Sequence, residues 1–177
     1  MVVEIDHFVN WLHRRNAQAR TWRDYTYDLK QFVEVVGDQS PGSVTFHDVD
    51  RFVIQQAEHG FKPATINRRL AAIMSLYMFL SDEDPALICP VLPHRHVVRD
   101  PQRLPRPVPQ DDLHKFFAVI DDVRDRAMFT LMLRCGLRIA EVASLQLVDL
   151  YLDEARPRLV TRGKGSKERS AYLSPQA

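Results

Sequence analysis

The sequence predicts a mainly α protein in two folded parts, a four-helix bundle followed by a smaller α+β part with a short antiparallel sheet. Three observations predict this. Apolar residues recur at three- and four-residue steps in four successive runs before residue 90. Six prolines then fall between residues 90 and 109, where neither a continuous helix nor a central strand can form. Near the end, two alternating runs flank the turn GKGSK and read as a hairpin. The implied division is a helical domain over 1–89, a Pro/Arg-rich linker over 90–109 and a second domain over 110–177.

Residues 3–15 read as the first helix, with Ile5, Phe8, Val9 and Leu12 on one face. Thr21 is the expected N-cap of a second, in which Trp22, Tyr25, Leu29, Phe32, Val33 and Val36 recur until Gly37. Thr45 followed by Asp48 resembles a capping box and opens a third, carrying Val49, Phe52 and Val53 until Gly60. Pro63 and Thr65 open a fourth, with Ile66, Leu70, Ile73, Tyr77 and Leu80 inward, and Asp82-Glu83-Asp84-Pro85 stops it. In the linker, Arg95, Arg99, Arg103 and Arg106 make an extended basic strap or a plain solvated spacer. His94-Arg95-His96 lacks further ligands at metal spacing, so no metal site is expected.

Beyond the linker, residues 110–120 form a short helix with Leu113, Phe116, Phe117 and Ile120 inward and Asp111 and Asp112 in its first turn. Residues 124–135 read as a buried helix that Gly136 closes in the left-handed conformation. A second helix restarts with Ile139, Val142 and Leu145 on one face, which places Arg138 near its N-terminus. There the guanidinium fork and exposed backbone N–H groups can hold an anion, phosphate above all. Residues 158–162 and 169–173 are the predicted strands.

The composition, 45% hydrophobic and 27% charged, is that of an ordinary globular chain, so extensive disorder is excluded. No apolar run approaches a membrane span, and MVVEIDHFVN lacks the basic flank and apolar core of a signal peptide. Cys89 and Cys135 stand in dissimilar contexts, which makes a reducing cytoplasm the expected location. The net charge is only +1, but it is unevenly spread. Residues 1–90 carry 9 Lys+Arg against 12 Asp+Glu, and residues 91–177 carry 15 against 11. A nucleic-acid partner needs local positive surface, not a basic total.

GLRIAEVASL and the later GKGSKERSAYL resemble the first arginine box and the lysine hairpin of the tyrosine recombinases, the phage-integrase and Xer family. TWRDYTYDLKQF and KPATINRRLAAIMSLYMFL are similar to that family's SAM-like core-binding domain. The resemblance implies a core-binding domain followed by the front part of an α+β catalytic domain. It implies that Arg138 braces a scissile phosphate, that Glu141 orients Arg138 by an ion pair, and that Lys164 protonates the departing 5′-oxygen. It also implies double-stranded DNA as partner, with Arg20, Arg23, Lys62, Thr65, Arg68, Arg69, Arg103 and Lys167 as candidate contacts. Self-association on DNA or pairing with an intact recombinase follows from the same likeness. The covalent 3′-phosphotyrosyl intermediate of the family keeps the bond energy, so no nucleotide or other cofactor is expected.

Plainer readings stand beside these. Arg138 and Glu141 can be an ordinary i, i+3 surface pair, Lys164 a turn lysine, and each basic residue of the bundle a solvated charge. The family's His-x-x-Arg box and tyrosine nucleophile find no match here. The last histidine is His114, and neither Tyr151 nor Tyr172 has the nucleophile's context. The expectation is therefore a truncated recombinase that binds DNA and is inactive alone. A non-catalytic protein that occupies recombination sites, or a helical interaction module, are the alternatives.

Overall fold

The structure, a computed structural model, describes residues 1–101, 104–163 and 167–174. The chain forms two units, Met1–Arg103 and Leu104–Ala177.

The first unit is built from α1 (Val2–Arg15), α2 (Thr21–Val36), α3 (Phe46–Glu58) and α4 (Pro63–Ser81). Most of their inward residues are those the periodicity selects, with Leu76 of α4 an addition. Phe8, Leu29, Phe32, Val49, Phe52, Ile66, Leu70, Ile73, Leu76 and Tyr77 are almost wholly buried in one core. Each such side chain contributes about 1.5–3 kcal/mol of burial, which is what holds the bundle together. The rings of Phe32 and Phe52 meet edge to face at 5.2 Å. The Tyr77 hydroxyl donates to the Pro41 carbonyl at 2.8 Å, so its polar end is satisfied inside the core.

Helix starts and stops follow local chemistry. At α3, the Asp48 carboxylate accepts from both the Thr45 backbone N–H and the Thr45 hydroxyl at 2.8 Å. Pro63 occupies the first turn of α4, where its missing N–H costs nothing. Thr21 is not the N-cap of α2; Arg20 is, and Thr21 is the first helical residue. No side-chain cap bond forms there, so the hydroxyl signal that suggested a cap is unused.

The Pro-rich segment begins as part of this unit. Val91 joins the bundle core, and residues Pro93–His96 form one turn of helix, α5. Arg95 grips Asp50 of α3 with its Nε and Nη2, at 2.8 and 2.5 Å to the two carboxylate oxygens. Asn67 of α4 exchanges two hydrogen bonds with the Val98 backbone, at 2.8 and 2.9 Å. Arg95 is therefore committed to a partner within the protein, and among the described residues 99–101 and 104–109 are exposed without regular structure.

The second unit comprises α6 (Gln110–Ala118), α7 (Val123–Cys135), α8 (Ile139–Ala143) and strands β1 (Leu150–Tyr151), β2 (Arg158–Arg162) and β3 (Glu168–Tyr172). The strands form an antiparallel sheet in the order β1-β2-β3. Gly136 closes α7 at φ +63°, the left-handed conformation its position predicts. The core is small: Leu137, Val142, Leu159 and Ala171 are buried, with Met128, Leu131, Met132, Leu145, Leu150 and Leu173 partly so. Three expectations fail here. On α6 the residues expected inward are not enclosed, and Phe116 is 42% exposed. The helix now called α7 is not buried: none of its residues is enclosed, and Phe129 and Leu133 are 37% and 47% exposed. On α8 Ile139 is 74% exposed while Val142 faces the core, because a five-residue helix makes little more than one turn and i, i+3, i+6 do not share a covered face.

Candidate nucleic-acid interface

The site in the second unit is built around one carboxylate. The turn after Gly136 brings Leu137 into the core and leaves Arg138 as the N-cap of α8, with its side chain 75% exposed. One turn on, Glu141 is buried, and its two oxygens are divided among three donors. Oε2 accepts from the Arg138 backbone N–H at 2.7 Å and from Arg169 Nη2 at 3.0 Å, while Oε1 accepts from Arg138 Nη1 at 3.2 Å. Hydrogen bonds from Arg169 first, and then from the Arg138 backbone, hold the Glu141 carboxyl down to about 2. Glu141 is thus a fixed anion, and Arg138 is fastened at one nitrogen with its outer face open to solvent.

The expected pairing of Arg138 with Glu141 is present, but the expected use of backbone N–H groups is altered. The Arg138 N–H is already consumed by Glu141, so it is not among the donors open to an anion here.

Arg169 went unselected in the sequence reading, although a signal for it exists. Register pairs Leu159 with Ala171 and Thr161 with Arg169, and opposed residues of an antiparallel pair share a face. Leu159, Thr161 and Ala171 are buried, so alternation puts Arg169 on the inner face with no apolar function to serve. It reaches Glu141 and also donates to the Gly136 carbonyl at 3.2 Å.

The β2–β3 turn begins at this carboxylate. Gly163 donates to the Lys167 carbonyl at 2.8 Å, and a Cβ at Gly163 would stand 3.4 Å from Glu141 Oε1. Lys164, the expected proton donor, lies outside the described residues, as does the linker's Arg103. Lys167 is exposed at the foot of the turn. Tyr151 stacks beneath the Arg158 guanidinium at 4.2 Å, and Tyr172 projects outward, 64% exposed.

In the first unit α2 and α4 pack together, with Arg68 and Arg69 of α4 reaching Asp28 of α2. Lys62 and Arg68 are exposed, and Thr65 half-buried, at the start of α4. On α2, Arg20 pairs with Asp24 at 3.5 Å and Arg23 lies over the Trp22 ring at 4.9 Å, both exposed. Arg68 remains open to solvent but is bonded to Asp28 at 2.5 Å. Arg69 is a correction. Only 2% exposed, it hydrogen-bonds Gln56, sits 3.6 Å from Asp28 and packs its guanidinium on Phe61 at 4.1 Å. It is a core residue and cannot reach a phosphate. Burial raises the Asp28 carboxyl in spite of the two arginines that oppose the shift.

Among the described residues no group of three or more His, Cys, Asp or Glu side chains is placed to hold a metal ion, and no helix is long and apolar enough to cross a membrane.

A helical bundle of this kind, followed by an Arg–Glu turn backed by a β-hairpin, is matched in known proteins. Residues 5–84 match the family model of the phage integrase N-terminal SAM-like domain, and residues 107–177 match that of the phage integrase family. The chain belongs to the phage integrase family of tyrosine recombinases. It is 31% identical to tyrosine recombinase XerC of Chromohalobacter salexigens, across 100% of this chain and 60% of that protein. It is 32% identical to tyrosine recombinase XerD of Lacticaseibacillus casei, across 96% and 59%. The chain thus spans a little over half the length of the curated relatives it matches. Among solved structures, a lambda integrase tetramer bound to a Holliday junction shares the fold, with a TM-score of 0.75 at 15% identity over 97% of this chain and 50% of that one. The XerH site-specific recombinase bound to a palindromic difH substrate does so with a TM-score of 0.64 at 17% identity, over 90% and 50%.

Proposed function

We propose that this chain engages duplex DNA as part of a site-specific recombinase, with Arg138 contacting a nonbridging oxygen of the scissile phosphate. The observation that carries this is the state of Arg138. It is largely exposed, yet anchored at both its backbone and one guanidinium nitrogen by a carboxylate fixed in its ionised form. An ordinary surface pair has no second arginine behind its carboxylate and no buried glutamate. Preorganised cations of this sort stabilise the charge that develops when a phosphodiester is attacked.

The first unit supplies sequence-independent grip. Lys62, Thr65 and Arg68 on α4 and Arg20 and Arg23 on α2 position the duplex through its phosphates. Lys164, the residue after Gly163 in sequence, is the proposed donor of a proton to the leaving 5′-oxygen, and Lys167 a further phosphate contact. The attacking tyrosine of the family reaction is assigned to neither Tyr151 nor Tyr172. Self-association on DNA belongs to the same proposal; the lambda integrase and XerH structures named above are of DNA-bound recombinases.

Fluorescence anisotropy with a short labelled duplex at low salt tests this reading. Arg138→Ala should weaken binding about tenfold, the usual worth of a hydrogen bond to a charged group. Unchanged affinity would remove Arg138 from the interface.

A further inference from the structure

We propose that Arg169 is a positioning residue of the phosphate site: by occupying Glu141 it prevents that carboxylate from neutralising Arg138. The inference rests on the reading of Arg138 as a phosphate contact. Two guanidinium charges, Arg138 and Arg169, face one carboxylate charge, so the cluster carries a net +1. Remove Arg169 and the remaining pair is neutral. The anion-binding field is then lost although Arg138 itself is untouched.

Geometry adds to the charge count. Arg169 Nη2 takes Oε2 of Glu141 at 3.0 Å, the oxygen that also accepts the Arg138 backbone N–H, and this leaves Oε1 alone for the Arg138 side chain. Arg138 is therefore held by one nitrogen. Without Arg169, Oε2 keeps the Arg138 backbone N–H but regains a free lone pair, which admits the forked, bidentate arrangement that guanidinium and carboxylate favour and would draw the Arg138 fork down onto the protein. The second bond of Arg169, to the Gly136 carbonyl, fastens the same guanidinium to the turn that presents Arg138. Because Arg169 sits on β3, its side chain adds a polar link between the hairpin and the arginine turn to the apolar packing they already share.

The test compares four forms of the full chain for binding of the same labelled duplex at low salt: wild type, Arg138→Ala, Arg169→Ala, and Arg169→Ala combined with Glu141→Gln. Arg169→Ala should lose about tenfold, as Arg138→Ala does. The double variant should regain most of that loss, because removing the carboxylate charge returns the cluster to +1. Neutralising Glu141 also relieves a buried carboxylate left short of a partner, so the urea midpoint of each variant is read alongside its affinity: regained affinity without regained stability carries the inference, and affinity that simply follows stability overturns it. Arg169→Ala at wild-type affinity, with Arg138→Ala impaired, would overturn this inference and leave the phosphate reading standing. An impaired double variant would also overturn it, making Arg169 either a direct DNA contact or a folding residue. Arg138→Ala at wild-type affinity would remove the reading beneath it and the inference together.

Discussion

At the scale of single residues, two arginines of one family-like segment, Arg68 and Arg69, have opposite fates. Arg68 points outward from α4, whereas Arg69 lies one turn from both Ile66 and Ile73 and is drawn into the core. It is tolerated there because Asp28 and Gln56 await it, and both partners are remote in sequence. Helical periodicity reports a face but not a partner thirteen or forty-one positions away, which is why the sequence alone left Arg69 among the phosphate contacts. Arg69→Ala should therefore cost about 3 kcal/mol in urea unfolding, since it strips a buried carboxylate of one of its two cations. Lys62→Ala, a change at an exposed side chain, should alter stability by less than about 0.5 kcal/mol while weakening duplex binding. The reverse ranking would restore Arg69 to the surface. Glu141 makes a second residue-scale prediction. Its carboxyl is depressed from the ordinary 4.5 to about 2, so its contribution to stability is fully present above about pH 4.5 and is lost as pH falls through about 2. A carboxyl-carbon NMR titration should place its midpoint well below that of an exposed glutamate; a midpoint near 4.5 would mean that Arg169 is not bound to it.

At the scale of elements, signals confined to a few adjacent residues were legible. The Thr45–Asp48 box, the proline start of α4 and the Gly136 stop of α7 each depend on neighbours within one turn, and each is where the sequence places it. The two long strands were found to within a residue at each end. The two-residue strand β1 was not, because Leu150 pairs with Leu159 by tertiary proximity and two residues carry no alternation. The Pro-rich segment divides for a similar reason. Its composition announces a linker, but the Arg95–Asp50 pair and the Asn67–Val98 bonds tie residues up to 98 onto the bundle. Limited proteolysis with a broad-specificity protease should accordingly cut between residues 99 and 109. The first unit, with its continuous core, should persist as the resistant fragment, and the second, with four buried apolar residues among those described, should be degraded sooner. Cleavage before residue 98, or survival of the second fragment alone, would contradict this.

At the scale of the whole molecule, the net charge of +1 hides the feature that matters for a polyanion. Three acidic side chains are spent internally: Asp28 on Arg68 and Arg69, Asp50 on Arg95, Glu141 on Arg138 and Arg169. Among the described residues the exposed cations include those at the starts of α2 and α4, and Arg138 and Lys167 in the second unit, which are the proposed phosphate contacts. The family, the fold class and the Arg138–Glu141 pair were all legible from two short motifs in the right order. The second arginine was not, because its meaning lies in which strand face it occupies. Binding of this kind is driven by release of counterions from DNA, and its signature is a linear fall of log affinity with log salt. The most direct test is a salt titration of duplex binding by the full chain. With six or so phosphates contacted, affinity should fall about a thousandfold between roughly 50 and 200 mM monovalent salt. Affinity that stayed flat across that range would contradict a phosphate-contacting surface altogether.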